Sequence, residues 1–180
     1  MSKFIEKTIE TKEIFKGKMI DLQVDTVKLP NGGESTREIV KHPGAVAVIA
    51  LTPENKLVLV EQYRKPLGKS ILEIPAGKLD PGEDPITTAR RELEEETGYQ
   101  TDHLEYITSF YTAPGFSNEI LYLYLAKELK VAENRLEPDE DEFVEVVECG
   151  IDQLDDLERS QRIHDIKTSY AISYLKLNAN

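Results

Sequence analysis

Glutamates cluster on one side of a predicted helix that runs from Pro85 to Thr97. At 100° per residue, Glu92 and Glu96 lie one turn apart, with Glu95 at their edge. Leu93 points in a neighbouring direction, so the acidic face borders the apolar face instead of lying opposite to it. Because like charges spaced i, i+4 are unfavourable in an isolated helix, this arrangement indicates a use beyond solubility.

A divalent cation is the simplest explanation of the cluster. Carboxylates about 5 Å apart repel by roughly 3 kcal/mol per pair at an effective dielectric of about 20, whereas a divalent ion about 4 Å from each contributes roughly −8 kcal/mol per carboxylate, before desolvation costs. Ligands that are all oxygen favour Mg²⁺, with Mn²⁺ as a substitute, over zinc. Arg91 lies one turn before Glu95 and is expected to orient it through a bidentate ion pair.

The segment before this helix is rich in glycine and proline. The stretch from Ile74 to Glu83 reads as a strand that ends in a loop, where glycines let the backbone pass close to a ligand. Glu83 can lean back toward the helix carboxylates. Asp84 is a predicted N-cap, Pro85 fits the first helical position, and Gly98 suits a left-handed residue after the last turn.

The remaining pattern predicts an α+β fold with a mixed sheet. Residues 13–40 predict a β-hairpin around a Pro-Asn-Gly-Gly turn, so that 1–42 forms an N-terminal segment and 43–180 the main domain. A final amphipathic helix, about 163–177, is expected to bury Ile166, Tyr170, Tyr174 and Leu177. Further strands are predicted at Ala45–Leu51, Leu57–Tyr63, Ile71–Ile74, Tyr106–Tyr111, Ile120–Leu125 and Phe143–Val147.

The composition disfavours some classes of binding partner and indicates the compartment of the protein. The 22 basic and 34 acidic side chains give a net charge of −12, which repels nucleic-acid backbones and anionic membranes. The N-terminus has no signal-peptide pattern, and no apolar run approaches the roughly 20 residues of a membrane span. Cys149 is the only cysteine, which excludes an internal disulfide and a cysteine zinc site and favours the cytoplasm. The three histidines are widely spaced and indicate no metal site.

The stretch from Gly77 to Tyr99 resembles the Nudix box. The matching residues are Gly77, Glu83, Arg91-Glu92-Leu93, Glu95-Glu96 and Gly98-Tyr99, where only Tyr99 departs from the usual aliphatic residue. The resemblance implies a Nudix-type α/β/α sandwich that hydrolyses nucleoside diphosphates linked to another moiety. It places the metal ligands at Glu92, Glu96, Glu83 and the backbone of Ala76, with Glu95 and Arg91 as catalytic residues beside them.

The flanks of the box resemble the ADP-ribose pyrophosphatase subgroup over nearly the whole chain. They include Glu61–Arg64, the Leu72–Gly77 segment, and Ala113–Glu119, whose proline falls 16 residues after Gly98. An acidic run, Glu137–Glu142, is the last matching feature. The resemblance implies Mg²⁺-dependent hydrolysis of ADP-ribose to AMP and ribose 5-phosphate. The rival functions are hydrolysis of another nucleotide sugar, hydrolysis of oxidised nucleoside triphosphates, and a non-catalytic Nudix-fold binding module.

The same resemblance assigns roles outside the box, each with a plainer alternative. Glu140 is the expected general base and Glu142 a metal ligand, with the two roles open to exchange; the acidic run could instead be a solvated loop or a weak calcium patch. Arg64 is expected to bind phosphate or ribose, or else is an ordinary strand-end cation. A substrate-shaping loop, which could be only a turn, contains Pro114, Gly115, Phe116 and Ser117.

The N-terminal hairpin resembles the segment through which such enzymes form an intertwined homodimer. The resemblance implies that substrate-binding residues are shared across the dimer interface. Phe15, Arg37 and Glu38 are the expected contacts to adenine or ribose.

Overall fold

The computed structural model describes residues 3–133, 136 and 143–178. Contacts divide the chain into two compact units, one formed by Met1–Gly44 and Ser109–Leu121 and the other by Ala45–Thr108 and Tyr122–Asn180. Within the described ranges, no helix is long and apolar enough to cross a membrane. The predicted division into 1–42 and 43–180 stays a prediction.

The first unit contains a three-stranded antiparallel sheet in the order β1 (Lys7–Lys16), β2 (Asp21–Lys28) and β3 (Glu34–Lys41). The predicted hairpin is confirmed as β2 and β3, but the sequence did not predict β1 as a whole strand. All ten of its residues are exposed, and register shifts near Glu10 and Glu13 interrupt its pairing. A strand without a buried face lacks the one-sided alternation by which strands are predicted.

The larger sheet has seven strands and positions the candidate site. Its strands are β4 (Ala45–Leu51), β5 (Lys56–Arg64), β6 (Lys69–Glu73), β7 (Ala76–Lys78), β9 (His103–Tyr111), β10 (Ile120–Lys127) and β12 (Val144–Gly150). Their order is β12-β5-β4-β10-β9, with β6 paired to β5 and β7 paired to β4. A separate two-stranded ribbon consists of β8 (Tyr99–Gln100) and β11 (Lys130–Val131).

Strand β4 changes partner along its length. Ala50 and Leu51 pair with β5, whereas Ala45–Ala47 pair with β7. Between these pairings Val48 donates its N–H to the carbonyl oxygen of Pro75 at 2.9 Å. The chain from β6 into β7 therefore lies along the centre of the sheet, where β4 is almost completely buried.

Helix α1 (Pro85–Thr97) begins and ends where the sequence predicts. Asp84 is the N-cap residue but makes no side-chain capping bond, and Gly98 takes the left-handed conformation with φ of 73°. Leu93 is buried as expected and packs in the core formed by β4 and β5, whereas Ile86 is exposed. The rest of the helical structure is a 3₁₀ turn (Ile151–Gln153), α2 (Leu154–Arg159) and α3 (Ile166–Asn178).

The predicted core face of α3 is wrong. Ile166 and Leu177 are exposed, and the buried residues are Thr168, Ala171, Ile172 and Leu175. The apolar side chains of α3 occur on every side of the helix, so their spacing does not identify one core face. The small Thr168 and Ala171 allow a close approach, and the Thr168 hydroxyl accepts the N–H of Ile74 at 3.0 Å.

Candidate active site

Two glutamates of α1 are buried against the start of the box. Glu92 is 6% exposed and Glu96 only 1%. Glu96 accepts a hydrogen bond from the N–H of Ala76 at 2.9 Å, which ties the helix to β7. Two buried carboxylates on adjacent turns of one helix could together bind a divalent cation.

The Glu92 carboxylate lies directly against the backbone of Gly77. A Cβ atom on Gly77 would meet the Cδ of Glu92 at 1.9 Å and its Oε1 at 2.1 Å. No side chain fits at position 77 while Glu92 keeps this place. The glycine that opens the box is therefore required by space, and not by an unusual backbone angle.

Arg91 lies among the carboxylates of the box. Its Nη1 donates to Glu92 at 2.9 Å and to Glu95 at 2.8 Å, and its Nη2 donates to Glu83 at 3.3 Å. The expected ion pair between Arg91 and Glu95 is present, and Nη1 is shared between Glu92 and Glu95. Burial opposes the charge on Arg91, but hydrogen bonding by Glu83 and the neighbouring carboxylates outweigh it and raise the pKa of Arg91.

Glu83 leans back toward the helix, as the sequence predicts. It accepts a hydrogen bond from the Thr88 hydroxyl at 2.8 Å. That bond, followed by the bond from Arg91, lowers the pKa of Glu83 below its ordinary value. Glu83 is therefore held in its charged form beside the buried glutamates.

The donors at this site suit a hard divalent cation such as Mg²⁺, because they are carboxylate and backbone oxygens. The part of the chain described by the structure holds no group of three or more His, Cys, Asp or Glu residues that could bind a metal ion. Glu92 and Glu96 would therefore need a further ligand. The expected ligand Glu142 and the expected base Glu140 lie outside the described residues.

Arg64 ends β5 next to a buried carboxylate. Its Nε and Nη2 donate to Glu73 at 2.6 and 3.0 Å, and Glu73 is 3% exposed. Lys167 of α3 also donates to Glu73. The sequence pointed to Glu73 only as part of a motif and did not point to Lys167, because a separation of 94 residues along the chain leaves no local signal.

The box residue that departs from the usual pattern has its own contacts. The ring of Tyr99 packs against the core around Val46 and Leu93, as an aliphatic residue would. Its hydroxyl donates to Glu148 of β12 at 2.6 Å. This hydrogen bond, with burial, raises the pKa of Tyr99 to about 12.

The expected adenine and ribose contacts Phe15, Arg37 and Glu38 all belong to the first unit. Phe15 is paired with Leu22 and is 56% exposed. Arg37 forms an ion pair with Glu6, donating from Nε at 2.8 Å. Because adjacent residues of a strand face opposite ways, Arg37 and Glu38 lie on different faces of the sheet.

The expected substrate-shaping loop also lies in the first unit and is folded as a turn. Ser117 donates its N–H to the carbonyl of Ala113 at 2.9 Å, and Phe116 offers its carbonyl to the N–H of Val40 at 2.8 Å. Pro114 and Gly115 lie within this turn. The ring of Phe116 remains 58% exposed, so the turn presents an aromatic surface.

Comparison with known proteins agrees with this geometry. Two family models match the chain: the NUDIX domain over residues 41–169 and the nucleoside diphosphate sugar hydrolase N-terminal domain over residues 6–40. The crystal structure of an ADP compounds hydrolase superposes with a TM-score of 0.82 at 20% identity, covering 95% of this chain and 94% of that one. The predicted Nudix-type fold is thereby confirmed.

Two bacterial relatives match almost the full length. An ADP-ribose pyrophosphatase from Bacillus subtilis (strain 168) is 57% identical over 177 residues, which are 98% of this chain and 96% of the relative. A methanol dehydrogenase activator from Bacillus methanolicus is 59% identical over 174 residues, which are 97% of this chain and 94% of the relative. With its complete box folded around two buried glutamates, the chain belongs to the Nudix family.

Proposed function

We propose that this protein hydrolyses ADP-ribose to AMP and ribose 5-phosphate with Mg²⁺ as cofactor. The observation that carries the hydrolytic site is the burial of Glu92 and Glu96 beside the side-chain-free Gly77. The choice of substrate is supported by the relative at 57% identity, which is named for ADP-ribose. Every glutamate of the box is present, which disfavours a non-catalytic binding module.

The residues of the site have different proposed roles. Glu92, Glu96 and the backbone of Ala76 would hold the cation, which supplies positive charge to the pyrophosphate and acidity to the attacking water. Arg91 keeps Glu83 and Glu95 in place through hydrogen bonds of 3.3 and 2.8 Å. Removal of the proton from the water is assigned, by the family resemblance, to Glu140.

Arg64 is the proposed contact to the substrate's phosphate or ribose oxygens. Its guanidinium is fixed by Glu73, and its side chain retains 38% of its surface exposed. A guanidinium held this way suits bidentate recognition of an oxyanion.

A homodimer formed through the N-terminal segment is part of the proposal. Strand β1 is an edge strand with every residue exposed, including Ile9, Ile14 and Phe15. An open apolar edge favours pairing with another chain, and the partner proposed here is a second copy. The only cysteine, Cys149, is unpaired and buried, which suits the reducing cytoplasm.

A substrate panel tests this proposal. Phosphate-containing products would be measured with Mg²⁺ for ADP-ribose, other nucleotide sugars, dinucleotides and an oxidised nucleoside triphosphate. The expected result is the highest kcat/KM for ADP-ribose. Faster hydrolysis of the triphosphate would reject the assignment of substrate but not that of the family.

A second candidate function follows from the relative named as a methanol dehydrogenase activator, at 59% identity. The test is to add this protein to a methanol dehydrogenase and to measure the rate of methanol oxidation. Stimulation that disappears in Glu96→Gln would make activation a consequence of hydrolysis. Equal stimulation by the wild type and by Glu96→Gln would assign the activation to a surface other than the hydrolytic site.

A further inference from the structure

Four charged side chains form a cluster at the end of β6. Glu73 receives hydrogen bonds from Arg64 and from Lys167, and Lys167 also donates to Asp165 at 2.9 Å. Lys167 and Glu73 are 11% and 4% exposed in their side chains. Two positive and two negative groups balance, so the cluster can be buried without a net charge.

The pairing of Arg64 leaves part of its guanidinium available. Glu73 takes Nε and Nη2, which form the side edge of the fork, at 2.6 and 3.0 Å. Arginine carries five N–H donors in a fixed plane, so the end edge, Nη1 with the second hydrogen of Nη2, can still bind an oxyanion. The exposed part of the side chain allows a ligand to reach it.

Arg64 also interacts electrostatically with the candidate catalytic helix. Burial opposes its positive charge, but the hydrogen bond and charge of Glu73, with further contributions from Glu96 and Asp165, raise the pKa of Arg64. Arg64 is therefore within electrostatic range of a predicted metal ligand. An anionic ligand that reached from Arg64 to Glu96 would need a cation beside Glu96, because two negative groups repel.

Lys167 determines how strongly Glu73 depends on Arg64. Without Lys167, a ligand that binds Arg64 would compete with Glu73 for the guanidinium. Glu73 is a buried carboxylate and would then have no other cation in the described cluster. With Lys167 present, Glu73 keeps a second partner. We propose that Lys167 is a positioning residue: it holds Glu73 from α3, so that Arg64 directs its end edge at phosphate or ribose oxygens of the substrate. The proposal rests on the proposed function.

A purely structural role for Lys167 predicts something different. Helix α3 has another attachment near the same place, because Thr168 accepts the N–H of Ile74 at 3.0 Å. Docking of α3 therefore does not depend on Lys167 alone. If Lys167 acts through Arg64, its loss should raise KM more than it lowers the folded fraction or kcat.

The experiment compares Lys167→Met and Lys167→Arg with a control on the same helix, Lys176→Met, which loses an exposed ion pair to Asp155. For ADP-ribose, Lys167→Met should raise KM about tenfold and leave kcat within about threefold of the wild-type value. Lys167→Arg should restore KM, and Lys176→Met should not change it. An unchanged KM in folded Lys167→Met would overturn the proposal.

A double variant tests whether Lys167 acts through Arg64. If it does, Arg64→Met with Lys167→Met should have the same KM as Arg64→Met alone. Two effects that multiply would contradict the proposal. If Lys167→Met does not fold, Glu73→Gln with Lys167→Met removes both buried charges; it should fold with a raised KM, and a wild-type KM would refute the positioning role.

The outcome is separable from that of the proposed function. If the wild-type protein does not hydrolyse ADP-ribose, the assignment of substrate fails by itself. The same KM comparison can then be made with whichever nucleotide of the panel is hydrolysed. Wild-type hydrolysis of ADP-ribose with no effect of Lys167→Met would reject the positioning role alone.

Discussion

The Cδ atom of Glu92 lies 1.9 Å from where a Cβ of Gly77 would stand. A residue that opens a loop and a residue in the middle of a helix thus form one steric unit. The glycine permits the glutamate to be buried beside the backbone of β7. The spacing of the two within the box is a requirement of this contact.

Gly77→Ala should therefore damage catalysis more than folding. The added methyl group must displace the Glu92 carboxylate, and we expect kcat/KM to fall by about 10²-fold or more, since small misplacements of catalytic groups have effects of that size. Steady-state kinetics with circular dichroism would measure both properties. Gly33→Ala is the control, because its Cβ would meet only movable side chains, the nearest being that of Asn31 at 3.2 Å. Wild-type kinetics in Gly77→Ala would contradict the steric unit of Gly77 and Glu92.

The hydrogen bond from Tyr99 to Glu148 should make the free energy of unfolding vary with pH in the alkaline range. The folded pKa is raised to about 12 from the ordinary value of 10.0, so the stabilisation is complete below the unfolded pKa and is lost as pH rises through the folded one. Tyr99→Phe should be less stable than wild type by about 0.5–1 kcal/mol at pH 8. Urea unfolding should show this difference shrinking between pH 10 and pH 12; a difference that is constant with pH would argue against the bond.

Local patterns predicted much of this molecule. The ends of α1 followed from Asp84, Pro85 and Gly98, because capping is decided by neighbouring residues. The position of Glu92 and Glu96 at the border of the apolar face followed from their angle to Leu93 on the same helix, and the structure buries both of them. These features depend on spacing within a few turns, which a sequence displays directly.

Features that depend on distant residues were not predictable. The apolar residues around α3 gave no unique face, and the choice was made by Thr168 and its bond to Ile74, 94 residues away. The contact of Lys167 with Glu73 has the same separation.

The assignments of Glu140 and Glu142 come from the family resemblance and can be separated by kinetics. A general base contributes about 10²–10⁴-fold, so Glu140→Gln should lower kcat by that factor with little change in the Mg²⁺ concentration for half activity. Glu142→Gln should raise that concentration as well, because a ligand is lost. If the two variants show the reverse pattern, the roles are exchanged. If neither lowers kcat tenfold, the base is elsewhere, and Glu95 or Glu119 becomes the candidate.

The exposed edge of β1 should be covered in a homodimer. Light scattering at micromolar concentration should give about twice the chain mass of 20.4 kDa. Removing residues 1–40 should produce a chain that is poorly soluble or much less active. A mass of one chain, or full activity after the truncation, would count against the dimer.

Metal-dependent turnover of ADP-ribose by the wild type and by Glu96→Gln is the most direct test of the account. Glu96 is 1% exposed and bound to the N–H of Ala76 at 2.9 Å, and glutamine can keep that bond while losing the charge that a cation requires. We expect the wild type to release AMP and ribose 5-phosphate only with Mg²⁺ or Mn²⁺, to stop on chelation and to recover when the ion is restored. In Glu96→Gln, kcat should fall by about 10²-fold or more with an unchanged circular dichroism spectrum. Near-wild-type turnover in Glu96→Gln, or activity that survives chelation, would contradict the account.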